Sequence, residues 1–176
     1  MASKPNAIHV RGASSERDDV DFVVAAWDST LPYLDFIGAG EMWGTQPFSE
    51  QEGFRADIVD VVQQTEAATG LEGRQLLVAE VDDVKNTSER PIRVGAAMFR
   101  DTFSSYLTER EELHAEVAEA ESYVWIEALI SDYRYASRPR GVGAALIDEI
   151  KRLAGGAGKR SVYVDAWAGN ERKLNR

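Results

Sequence analysis

The chain has 176 residues, with 20 Lys plus Arg against 30 Asp plus Glu and a formal charge of −10. That length suits one domain with a real core, and so acidic a chain is a poor match for a phosphate backbone, which excludes nucleic acid as a general partner. The absence of Cys, with only His9 and His114 as imidazoles, removes disulfides, thiolate chemistry and Cys-ligated zinc, and no metal is expected.

The alternation over Ala7–Arg11 predicts a strand ending at Gly12, and Ser14 and Ser15 are cap candidates for a helix over Glu16–Trp27. From Leu31 to Phe54 aromatics are frequent and Pro32 and Pro47 interrupt any long helix, so a loop with short helical turns is expected. Ser49 and Glu52 form a capping-box pattern before Phe54, Ile58, Val61, Val62 and Thr65 at helical spacing, predicting a helix to about Thr69. Leu76–Val81 and Ile92–Phe99 flank a polar segment and predict an antiparallel hairpin; Asn86-Thr87-Ser88 in its tip matches a glycosylation sequon and is read as a solvated loop. Tyr106–Ser122 is acidic with Leu107, Leu113 and Val117 on one face, an exposed helix whose charges mark a solvated surface.

Tyr123–Ile130 is too apolar for the surface and predicts a central strand. Gly141-Val142-Gly143 then opens a helical run through Leu146, Ile147, Ile150 and Leu153, stopped by Gly155-Gly156. Ser161–Trp167 is a further strand, and Asn170 opens another helix. The order predicts an α+β or α/β layered domain in which one crossover helix joins two parallel strands. No stretch approaches a membrane span and no apolar leader follows the N-terminus, so the cytoplasm is the expected address.

The chemistry concentrates in Arg134–Ala144, where a buried strand meets a helix through a turn with three arginines and two glycines. A helix start offers unpaired N–H groups, glycines admit an anion to the backbone, and guanidinium groups add bidentate contacts, so a phosphate or diphosphate belongs here. A dinucleotide fingerprint lacks its third glycine at Leu146, although Asp165 keeps that option open. Gly155–Arg160 fails as a P-loop, with Leu153 in place of the first glycine and Arg160 in place of the Ser/Thr.

Arg138-x-x-Gly141-x-Gly143, with the order of elements around it, resembles the Arg/Gln-x-x-Gly-x-Gly/Ala signature of the GCN5-related N-acetyltransferases, the GNAT superfamily. The resemblance implies a mixed, mostly antiparallel sheet with helices on both faces and a splayed central strand pair. It also implies a single domain over residues 1–176 that lacks the family's last strands. Acetyl-CoA is the implied cofactor, held at the turn by Arg138, Pro139, Arg140, Gly141, Val142, Gly143 and Ala144, along the strand by Ser131 and Tyr133, and by Asn170. The implied reaction is direct attack of an amine, on a small molecule, peptide or protein, upon the thioester. Glu127 is the first choice of proton acceptor, and Asp132, on the opposite strand face by parity, the reserve. Trp27, Tyr33, Phe36 and Trp43 would wall the acceptor pocket. No Tyr matches the family's proton donor, and the unfinished sheet edge favours a homodimer. Two alternatives stand beside this reading: a non-catalytic acyl-CoA-binding or assembly domain, and a nucleotide-binding oxidoreductase.

Overall fold

Five strands make one sheet in the order β1-β2-β3-β4-β5. They are β1 (Ile8–Gly12), β2 (Arg74–Val81), β3 (Ile92–Arg100), β4 (Tyr123–Ser131) and β5 (Ser161–Val164), in a computed structural model that describes residues 7–82, 91–135, 139–166, 169 and 171. The first four are antiparallel, and β5 joins β4 in parallel. That single parallel step needs a crossover, supplied by the helix α5 (Val142–Gly156). A mostly antiparallel sheet is not the doubly wound parallel sheet of dinucleotide oxidoreductases, so that alternative loses its architecture.

Period-two alternation sorts the central strands onto two cores. Leu76, Val78, Ala96, Met98 and Ile130 pack beneath the helices α1 (Asp19–Phe36) and α2 (Phe54–Ala67). Leu77, Ala79, Ala97, Phe99, Val124 and Ile126 face the other way, onto Val142, Leu146, Ile150 and Ala154 of α5. Among the described residues no helix is long and apolar enough to cross a membrane.

Several local expectations are corrected. Helix α1 runs through Pro32 to Phe36, because buried Leu31 and Leu34 on either side carry the helix past the lost N–H, while Pro32 itself faces solvent. Ser49 caps nothing; its N–H donates to Asp28 at 3.2 Å, and α2 starts after Gly53 in the left-handed region at φ 82°. Ser14 and Ser15 do not cap a helix either. Glu66 of α2 accepts from both their hydroxyls and from the Ser15 N–H at 2.7 Å. The acidic stretch is broken into α3 (Ser105–Thr108), a turn at Glu111–Leu113 and α4 (His114–Glu119). Helix α5 does end at Gly156, as expected, and Gly158 at φ 71° turns the chain so that the Lys159 N–H donates back to Ala154 O at 2.9 Å. The sequon at Asn86 lies outside the described residues.

Asp19 is fully buried where β1, β3 and α1 meet. Arg11 forks onto it at 2.6 and 3.1 Å, Arg93 donates at 3.1 Å and the Ser14 N–H at 2.8 Å. Burial alone would raise the carboxyl, but the Arg11 hydrogen bonds, the Ser14 N–H, the Arg11 charge and Arg93 outweigh it and hold it below its ordinary 3.8. A depressed carboxyl stabilises the fold above the unfolded value and loses that contribution as pH falls through the folded one. Urea melts across acid pH should therefore show stability falling below about pH 4. Asp19→Asn should flatten that limb and cost about 2 kcal/mol at neutral pH. An unchanged acid slope in the variant would assign the limb to other carboxylates.

Candidate functional site

Strands β4 and β5 pair only from Tyr123↔Ser161 to Ile126↔Val164, whereas β4 continues along β3 as far as Ser131. A bulge accompanies the parting: Met98 faces Ala128 and Phe99 faces Ile126, leaving Glu127 as the extra residue. Bulges bend a strand and increase its twist, here just where β5 departs. Downstream, the Asp132 N–H donates to Val94 O at 2.9 Å, so antiparallel alternation turns the N–H and C=O of Leu129 and Ser131 toward the open side. The resulting cleft of about 290 Å³ runs between that strand and Tyr33, Met42, Trp43, Gly143 and Val164.

At the end of the cleft α5 begins without a side-chain cap. Gly141 stands before it at φ 92°, and the first backbone bond is Ala145 N–H to Gly141 O at 2.9 Å. The N–H groups of Val142, Gly143 and Ala144 therefore precede the first intrahelical donor, at the positive end of the helix dipole. Arg140 is exposed beside them and makes no ion pair among the described residues; Pro139 carries no N–H. Arg138 and Asn170, both expected here, lie outside the described residues. Arg134 is not at the turn: it is spent on Asp132 at 2.7 Å.

Sequence reasoning missed Gly95, which sets the height of this helix start. A Cβ there would lie 2.6 Å from Ile130 O and 2.6 Å from Val142 Cγ1, so glycine lets the first turn of α5 settle onto β3 and β4.

No family profile matches the sequence, and no curated protein matches it. Solved structures do. The PaiA N-acetyltransferase of Thermoplasma acidophilum, in complex with coenzyme A, aligns with a TM-score of 0.58 over 96% of this chain and 84% of that one, at 12% identity. An aminoglycoside acetyltransferase from an uncultured soil metagenomic sample aligns at 0.52 over 96% and 86%, with 18% identity. AAC(6')-Iy in complex with a CoA bisubstrate analogue aligns at 0.52 over 96% and 86%, with 14% identity. The fold is that of the GNAT superfamily.

Within this GNAT fold the two expected acid–base candidates are both clasped by arginine. Glu127 Oε2 accepts from Arg74 Nε at 2.9 Å and Oε1 from Arg100 Nη1 at 3.0 Å. Burial works against the Arg74 charge, but the hydrogen bonds it donates to Asp57 and Glu127 outweigh it and hold the guanidinium above its ordinary range. Asp132 is fully buried and accepts from Arg134 and from the Ser29 hydroxyl. The parity expectation fails because the bulge adds a residue. Glu127 meets Arg74, which is paired with Asp57 of α2, and Asp132 meets Ser29 of α1, so both lie on the same face. Ser29 also accepts the Tyr133 N–H at 2.9 Å, which removes that donor from the expected set, while the Tyr133 ring stacks on Tyr33 at 4.3 Å and borders the cleft.

Of the four expected acceptor-wall aromatics, Tyr33 and Trp43 line the cleft beside β4. Trp27 is 5% exposed and packed among Trp43, Phe48 and Phe54, a core residue. Phe36 is 85% exposed at the last turn of α1 and borders neither cavity. The larger cavity, about 540 Å³, lies instead beneath the acidic stretch, between Leu113 and Val117 on one bank and Phe103, Trp125 and Tyr163 on the other. It shares Val164 and Asp165 with the first cleft. The stretch is thus a cavity wall as well as a charged surface, and its signal in the sequence was the apolar minority Leu107, Leu113 and Val117. Asp165 accepts the Tyr106 hydroxyl at 2.8 Å and the Trp125 indole N–H at 3.2 Å. Partial burial and that carboxylate push the Tyr106 hydroxyl above its ordinary range. Among the described residues no three ligating side chains gather around a metal position.

Proposed function

We propose that this chain transfers an acetyl group from acetyl-CoA to an amine. The observation that supports it is the continuity of an uncapped helix start with a cleft that carries the open edge of β4. The residues present fit the coenzyme: among the described residues no carboxylate caps the α5 start, and a Cβ on Gly141 would meet nothing within 4 Å. The N–H groups of Val142, Gly143 and Ala144 would hold the diphosphate, with Arg140 adding charge from solvent. Backbone groups of Leu129 and Ser131 would hydrogen-bond the extended arm as a strand partner would. When bound, acetyl-CoA supplies a thioester: the amine nitrogen bonds to its carbonyl carbon, the C–S bond breaks, the amine loses a proton and the sulfur gains one. The chain's part is to hold the carbonyl against β4 beside the bulge and to keep the approach walled by Tyr33, Trp43 and Val164.

Melting with and without ligand tests this. Coenzyme A at a hundred times its dissociation constant should add about 2.7 kcal/mol to the folded state, and NAD nothing. Absence of any shift with CoA thioesters would sink the proposal. Thiol release from acetyl-CoA with a panel of amines then separates an enzyme from a protein that only binds acyl-CoA.

A further inference from the structure

Resting on that acetyl-transfer reading, we infer that the larger cavity receives the acceptor, and that the acceptor is a primary amine with a single ammonium on an apolar body of about ring size. Position is the first ground. The cavity meets the β4–β5 cleft at Val164 and Asp165, so a molecule lying in it ends where the coenzyme arm would reach.

The walls are the second. Phe103, Trp125 and Tyr163 line one bank and Leu107, Leu113 and Val117 the other. Such surfaces favour a ring or alkyl chain and leave the hydroxyls of a sugar without partners. Its volume of about 540 Å³ is that of a small-molecule site.

Charge is the third. Glu127 has two arginine partners and Asp132 has one. Asp165 has only the neutral Tyr106 hydroxyl and Trp125 N–H, and no cation among the described residues. Those donors fix the carboxylate at the junction of the two cavities, and a ligand ammonium there supplies the missing counter-charge. Glu116 and Glu119 of α4 line the same cavity and draw a cation toward it.

The test compares 2-phenylethylamine with neamine, spermidine and a lysine-containing peptide, by acetyl-CoA thiol release and by quenching of tryptophan fluorescence on binding. Two variants accompany the native protein: Asp165→Asn, and Val117→Arg, which brings a guanidinium into the cavity from a surface helix. The inference expects 2-phenylethylamine to bind and be acetylated best. Each variant should raise its KM about tenfold, and Val117→Arg, whose residue lines only the larger cavity, should leave the melting shift with CoA intact. Preference for neamine, spermidine or the peptide, or two variants with native KM, would overturn the class while leaving the transferase reading in place. If CoA gives no melting shift but 2-phenylethylamine still binds and the variants weaken it, the amine site stands and the transferase reading alone falls. Failure of both ligands overturns both.

Discussion

Alanine at position 95 should cost about 2 kcal/mol of stability and, in the protein that remains folded, weaken acetyl-CoA binding at least about tenfold. The added methyl would stand 2.6 Å from both Ile130 O and Val142 Cγ1, inside any real contact distance. The first atom is β4 backbone, held in register by the Gly95↔Ser131 and Ala96↔Ile130 pairs. The second belongs to the first residue of α5. Whichever gives way is part of the proposed coenzyme site, so stability and affinity fall together even though residue 95 would touch no ligand. Gly156→Ala is the matched control: nothing lies within 4 Å of a Cβ there, and a helical glycine replaced by alanine gains about 0.5 kcal/mol. Urea melts read the first effect, and CoA titration of the folded variant reads the second. A Gly95→Ala protein with native affinity would show that the α5 start does not position the ligand.

That glycine marks the limit of what could be read from the residues alone. The hairpin of β2 and β3, the central strand, the crossover to β5 and the Gly141–Gly143 helix start were all legible, because each is written in local periodicity and turn chemistry. The GNAT resemblance rested on the same local features. Gly95, by contrast, sits within an ordinary-looking apolar strand, and only the packing of α5 across it gives it a role. The bulge at Glu127 is equally silent, since it depends on the register of β4 against β3, and with it went the parity argument that set Glu127 and Asp132 on opposite faces. The arginines that hold Glu127 stand 53 and 27 residues away. Asp165 was noticed for a dinucleotide role that the antiparallel sheet removes, and its actual neighbours, Tyr106 and Trp125, come from a connection read as surface and a strand read as core.

Glu127→Gln should lower kcat about a hundredfold at every pH, rather than abolish one limb of the pH profile. Both carboxylate oxygens are engaged, one by each guanidinium, and an amide can satisfy only one of them, since its NH2 faces a donor. The unmatched arginine then pulls on the bulged residue. Because Leu129 and Ser131 follow the bulge, the groups proposed to hold the coenzyme arm move with it. The stability cost stays near 1 kcal/mol, because the Arg74 and Arg100 side chains are 22% and 27% exposed and Arg74 keeps Asp57. Arg100→Gln separates a brace from a proton acceptor. If Glu127 positions the strand, losing Arg100 reproduces much of the kcat fall and the two changes combine non-additively in a double-mutant cycle. If Glu127 takes the proton, Glu127→Gln instead erases one limb of the pH–rate profile, which loss of a strand brace would leave in place. A rate for Glu127→Gln equal to that of the native protein across the whole profile would remove the residue from both roles and leave the bulge to be held by the β3 pairing alone.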